Sequence, residues 1–196
     1  QKKALMQQLL TGKKRLLDDE GKRFEGEWKE KTLGQYVTIK SGVSPSKFKL
    51  KSEGEVPYVK VEDMNNCSKY QIHSRNYADE TKSVIFQGAV IFPKRGAAIM
   101  NNKVRIAASK LYLDSNMMAL IPNKDLDSEF LYYLLLKKQL FKIADTSTIP
   151  QINNKHITPY VFKLPSLPEQ QKIATVLTNA DKEIELLEQQ LADLQQ

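Results

Sequence analysis

The final stretch of the chain constrains its fold more than any other. After Pro168-Glu169-Gln170-Gln171-Lys172, the apolar residues Ile173, Leu177, Ala180, Ile184, Leu187, Leu191 and Leu194 recur in alternating steps of four and three. This is a heptad stripe at both a and d. The rhythm carries into the opening residues: laid after residue 196, Lys2, Leu5 and Leu9 fall on the next positions of the stripe. The chain therefore reads as one period of a longer repeat, cut inside a helix. A stripe this narrow, backed by Gln, Glu, Asp and Lys, gains too little to hold a helix alone and needs a partner helix. A coiled-coil arm is expected, with Ile173, Leu177, Ala180, Ile184, Leu187, Leu191 and Leu194 as a dimer interface; an amphipathic helix lying on its own domain would show a broader stripe.

A chain of 196 residues fits a single core plus an extended element. Its charge is uneven. Residues 169–196 hold two basic and six acidic side chains, net −4, leaving 28 basic against 17 acidic, net +11, in residues 1–168. A cationic body beside an anionic arm points to a polyanionic partner, nucleic acid before membrane, since no stretch is apolar enough to span a bilayer and no signal-peptide pattern opens the chain. The single Cys67 allows no internal disulfide and suits a reducing cytoplasm; with only His73 and His156 besides, a structural Cys/His zinc site lacks its four ligands.

Gly12 with Lys13-Lys14-Arg15 reads as a helix C-terminus, and Asp18-Asp19-Glu20-Gly21 as a linker. Strand-like runs follow: Val37 and Ile39, then residues 56–61, 89–92, 104–107 and 117–121, separated by Gly, Pro and Asn turns. Asp127 or Ser128 caps a predicted helix reaching about Ala144, with Phe130, Leu131, Leu134, Leu135, Phe141 and Ile143 on its apolar face. A polar stretch and a short strand at residues 161–164 lead into the arm, where Pro168 at the helix start loses no bond. The predicted class is α+β, a mixed or antiparallel sheet domain with packed helices and a long C-terminal coiled-coil helix. The segments are 1–17, the end of a helix; 18–167, the sheet domain; and 168–196, the arm.

The order of Ile149-Pro150-Gln151-Ile152-Asn153, then Leu164-Pro165-Ser166-Leu167-Pro168-Glu169-Gln170-Gln171-Lys172-Ile173, then a heptad helix, resembles the specificity subunit of type I restriction–modification systems. Leu9-Leu10-Thr11-Gly12-Lys13-Lys14-Arg15-Leu16 looks like the close of that family's conserved helix, so the resemblance covers essentially the whole chain. It implies one half-unit, a target-recognition domain plus conserved helix, of a non-catalytic subunit that recognises double-stranded DNA. It further implies methyltransferase subunits that carry S-adenosylmethionine and methylate adenine, a separate restriction or translocase subunit that cuts, and antiparallel pairing of two conserved helices as a spacer. No cofactor is expected in this chain.

Candidate DNA contacts come from residue chemistry. Lys94-Arg95-Gly96 and Asn101-Asn102-Lys103-Val104-Arg105 flank a short apolar run and would lie close together in a hairpin. Arg pairs with guanine O6/N7 and Asn with adenine N6/N7, whereas Lys meets phosphate; a solvated turn is the plainer alternative. Gln151, Asn153, Asn154 and Lys155 form a second candidate. Because residues 149–153 follow a shared pattern, a structural or phosphate-positioning role is favoured there over target reading. Lys47 and Lys49, with Lys51, alternate along a possible edge strand and suit phosphate or solvent.

Enzymatic patterns are weak: there is no Gly-rich phosphate loop, no Asn-Pro-Pro-aromatic methyltransferase motif and no evident nucleophile motif. Asp63 with Glu80-Thr81-Lys82 imitates a metal-dependent nuclease, the basis of a stand-alone DNA-modifying alternative. A coiled-coil scaffold with an incidental basic surface is the other.

Overall fold

The computed structural model describes residues 2–81 and 84–195. The elements are α1 (Lys2–Leu9), β1 (Lys29–Thr32), β2 (Val37–Ser41), β3 (Val56–Val59), β4 (Tyr70–Gln71), β5 (Tyr77–Ala78), β6 (Val90–Pro93), β7 (Arg105–Ala107), β8 (Tyr112–Leu113), β9 (Met117–Pro122), α2 (Ser128–Lys138), α3 (Asn154–Ile157), β10 (Val161–Leu164) and α4 (Leu167–Leu194). They divide into two compact units: residues 31–162, and the two flanking stretches up to Glu30 and from Lys163.

In the unit of residues 31–162, a five-stranded sheet runs β2-β9-β6-β7-β4 and a three-stranded sheet runs β5-β3-β8. Both are mixed: β2, β9, β6 and β7 alternate antiparallel, whereas β4 joins β7 in parallel and β8 joins β3 in parallel. The strands β3 and β6 are buried at every position, so they read as continuous apolar runs rather than alternating ones. Val59, Ile91, Leu113, Met117 and Ala119 share one core between the sheets. α2 packs on β6, β7 and β9, started by the Asp127 carboxylate, which accepts the N–H groups of Glu129 and Phe130 at 3.0 and 2.8 Å.

The helix predicted to reach Ala144 stops at Lys138. Gln139 takes a left-handed φ of 63°, and a 3-10 turn over Leu140–Lys142 follows. Such a conformation is uncommon outside Gly and persists where the surroundings hold it.

In the other unit, α1 packs on α4 and the chain between is tied down by a buried ionic network. Gly12, at φ +71°, turns the chain out of α1, and an added Cβ there would sit 3.2 Å from the Trp28 ring. Glu169 is fully buried. Its carboxylate accepts Arg15 Nε at 3.0 Å, Arg15 Nη2 at 2.7 Å and Trp28 Nε1 at 3.0 Å, while Arg15 also donates to the carbonyls of Phe24 and Gly26. The bond to Glu169, opposed by desolvation and aided by that carboxylate's charge, raises the Arg15 pKa. Gln170, also buried, donates to the Pro165 carbonyl at 3.0 Å. These bonds hold residues 18–30 with the helices, so the compact sheet unit begins at Lys31 and ends at Phe162 rather than at the expected 18 and 167.

The heptad stripe is divided. Ile173, Ala174 and Leu177 are buried, as are Met6 and Leu9 of α1, and Lys2 pairs with Asp181. Ile173 and Leu177, expected at a dimer interface, are thus core residues of their own chain. Ala180 is half-buried, and Ile184, Leu187, Leu191 and Leu194 stay exposed. Among the described residues no helix is long and apolar enough to cross a membrane.

Candidate nucleic-acid interface

The two polar clusters separated in sequence by some fifty residues are joined by backbone pairing. Past the end of β6, the Lys94 N–H donates to the Asn116 carbonyl and its carbonyl accepts the Ile152 N–H, both at 2.8 Å. The Gly96 N–H donates to the Pro150 carbonyl at 2.8 Å. Arg95 and Gln151 therefore stand opposite one another in an antiparallel bridge, and Gln151 is bridged in turn to Asp145 through reciprocal N–H···O bonds of 2.9 Å. Directly opposed residues on a ladder project to the same face. Arg95 and Gln151 are both exposed, side by side. Gly96 turns the chain away at φ +83°, a backbone conformation that L side chains rarely adopt.

Gln151 Nε2 donates to Asn153 Oδ1 at 3.2 Å, while the Asn153 N–H donates to His156 Nδ1 at 3.0 Å in a capping box at the start of α3. Asn153 is thus a structural cap, half-buried; Asn154 and Lys155 are exposed in the first turn. Sequence reasoning missed Asp145. Bonds from Ser147, then the charges of Lys155 and His156, hold its carboxyl below the usual range, so a fixed negative charge adjoins the Gln151 position. The signal for it was the Asp-Thr-Ser turn, whose Ser147 N–H caps the Asp145 carboxylate at 3.0 Å.

The Asn101-to-Arg105 cluster does not form one DNA-facing row. Asn101 is exposed. Asn102, at φ 46°, donates through Nδ2 to the Leu136 carbonyl at 3.0 Å and accepts the Leu140 N–H at 2.8 Å, clamping its loop to the end of α2 beside Gln139. Lys103 is bonded to Asn65. Arg105 donates to the Val104 and Met64 carbonyls, both at 2.8 Å, and its Nε is buried without a partner among the described residues. Both Nη atoms of Arg105 thus rest on carbonyls of its own chain and brace its strand, in place of the free fork expected for base reading. The Asn102 carboxamide, also expected at a base, is likewise engaged within the chain. Lys94 is half-buried, and desolvation, opposed by the Asp114 charge, lowers its pKa.

No edge strand runs through Lys47, Lys49 and Lys51. Lys47 ends a 3-10 turn over Pro45–Lys47, and Lys51 forms an isolated bridge with Tyr77 and an ion pair with Asp79 at 2.9 Å. Phe48 and Leu50 pack inward on the three-stranded sheet, and Lys47 and Lys49 point to solvent. The residues that imitated a nuclease are otherwise engaged. Asp63 is buried; although desolvation opposes it, bonds from the Lys60 N–H, Arg75 and Ser74 keep its carboxyl below the usual range. Glu80 is paired with Lys110 at 2.8 Å, and Lys82 lies outside the described residues.

A family model described as the type I restriction modification DNA specificity domain matches residues 25–196. The chain belongs to that family. It is 30% identical over 170 residues to the type I restriction enzyme MjaIX specificity subunit of Methanocaldococcus jannaschii, a match covering 81% of this chain and 39% of that protein. It is 24% identical over 171 residues to the EcoR124I/EcoR124II specificity subunit of Escherichia coli, covering 80% and 42%. The chain spans about two fifths of the length of these relatives. Among solved structures, the HsdS subunit from Thermoanaerobacter tengcongensis aligns with a TM-score of 0.71 at 22% identity, over 96% of this chain and 45% of that one. A chain from a study of complex assembly and conformational transition of the type I R–M system aligns at 0.75 and 20% identity, over 98% and 47%. The α+β fold with a long C-terminal helix is therefore that of specificity subunits.

The Asn102 clamp has a measurable consequence. Asn102→Ala strips a donor and an acceptor from partly buried backbone partners and is expected to lower unfolding stability by about 1–3 kcal/mol in urea titration. Asn102→Gly should lose the same bonds without backbone strain, and Asn102→Asp, which retains the acceptor for Leu140, should fall between wild type and Ala.

Proposed function

We propose that this chain is the sequence-reading part of a type I restriction–modification complex and that residues 31–162 read one half of a double-stranded DNA site. The observation that carries the reading is the bridge that sets exposed Arg95 beside exposed Gln151. A guanidinium fork and a carboxamide on one face are the two groups suited to bidentate contacts with guanine and adenine edges. Asn101, Asn154 and Lys155 extend this surface, the amides toward bases and the lysine toward phosphate; Lys47 and Lys49 supply phosphate contacts elsewhere. The chain itself is non-catalytic. Methyltransferase subunits holding S-adenosylmethionine modify adenine at the sites it selects, and a restriction or translocase subunit cuts. The setting is the cytoplasm, where such DNA is found.

In the same reading, the chain pairs with a second copy through the exposed part of the α4 stripe, Ile184, Leu187, Leu191 and Leu194, with Ala180 at its margin. Two such arms, antiparallel about a two-fold axis, present identical domains to an inverted repeat. The 28 residues of α4 span about 42 Å, on the scale of the roughly 34 Å between half-sites one DNA turn apart.

Selection of duplexes from a random pool by the purified chain should yield a preferred sequence. On it, Arg95→Ala or Gln151→Ala should cost about 1–3 kcal/mol and relax selectivity, whereas Lys47→Ala or Lys49→Ala should weaken all sequences alike and reduce the salt slope by about one. Unchanged selectivity in both Arg95→Ala and Gln151→Ala places base reading elsewhere. Light scattering of the Leu187→Lys/Leu191→Lys double variant should give monomers; an unchanged dimer would show that the exposed stripe is not the interface.

A further inference from the structure

Within the loop that carries Arg95, one large exposed side chain has no polar chemistry to offer. Met100 is 53% exposed, at the end of the 3-10 turn over Ala97–Ile99, with its N–H on the Ala97 carbonyl at 3.0 Å. It is held on both sides: Ile99 before it is fully buried, and Asn102 two residues on is clamped to α2. The loop therefore presents Met100 at a fixed place, next to exposed Asn101 and five residues from exposed Arg95, where burial within the chain does not account for it.

On that basis, and resting on the DNA-recognition reading above, we infer that Met100 is a specificity-determining contact to the 5-methyl group of a thymine in the recognised half-site. In the major groove, the base edges present hydrogen-bond donors and acceptors and a single kind of apolar group, the thymine methyl. Arg95, Asn101 and Gln151 can address only the polar groups. An unbranched thioether with three rotatable bonds and a polarisable sulfur fits itself to a methyl group at a position that no polar partner can read. Ile149, also 53% exposed, sits next to Pro150, whose carbonyl accepts the Gly96 N–H. Ile149 lies outside the loop that carries Arg95 and, among the described residues, is not fixed by a clamp such as Asn102, so the contact is assigned to Met100.

The test replaces each thymine of the selected site, one at a time, by deoxyuridine, which differs only in lacking the methyl. Wild-type protein is expected to lose about fourfold in affinity at one position, the loss that follows from burying one methyl group less. Met100→Ala should bind the thymine and deoxyuridine duplexes equally at that position. Met100→Leu should retain the discrimination, and circular dichroism melting of both variants should match wild type. If no thymine responds, if the selected half-site holds none, or if the penalty survives in Met100→Ala, the assignment is wrong. An equal loss on both duplexes in Met100→Ala overturns it too, since that marks a wedge between base steps or a backbone contact. Failure of the underlying reading looks different: no preferred sequence emerges from the pool at all.

Discussion

The candidate interface depends on one short piece of backbone pairing, the bridge between residues 94–96 and 150–152. Without it, Arg95 would end a strand and Gln151 would sit in a polar linker, some fifty residues apart. The two bonds made by Lys94 and Gly96 to Ile152 and Pro150 turn them into neighbours on one face. The shared Ile-Pro-Gln-Ile-Asn pattern acquires a physical meaning in this way. Its backbone supplies the pairing, buried Ile152 anchors it, and Asn153 caps α3, so the motif builds the platform on which Arg95 and Gln151 stand side by side.

The second shared pattern also has a physical role. Pro168-Glu169-Gln170 places a carboxylate and a carboxamide where both are fully buried. A buried charge is tolerated only when paired and hydrogen-bonded. Glu169 meets that condition with three donors, drawn from Arg15 and Trp28, and through them ties the chain following α1 to the start of α4. One helix consequently covers Ile173 and Leu177 and leaves the stripe from Ile184 onward open.

Much of this was legible in the sequence. The strands at Val37–Ser41, Val90–Pro93 and Met117–Pro122, the Asp127 cap and the strand Val161–Leu164 all follow from local pattern and turn chemistry. The helix break at Gln139 was not, because a left-handed Gln has no local signature; a side chain from the β6–β7 connection, Asn102, holds the next N–H. Arg95 and Arg105 are alike in sequence context and differ in placement, one exposed and one bonded to the carbonyls of Val104 and Met64, a difference that only tertiary structure creates. The heptad rhythm gave the helix and its stripe, but a period does not say which partner covers which half. Burial of Glu169 was invisible for the same reason: its partner Arg15 lies at the other end of the chain.

The claim that residues 94–102 and 150–155 form one DNA-reading surface is tested most directly by amide hydrogen exchange on the purified chain, free and bound to its selected duplex. Protection is expected to rise in both segments together, and to rise less with random DNA of equal length. Protection confined to one segment, or appearing only in residues outside both, would contradict the account.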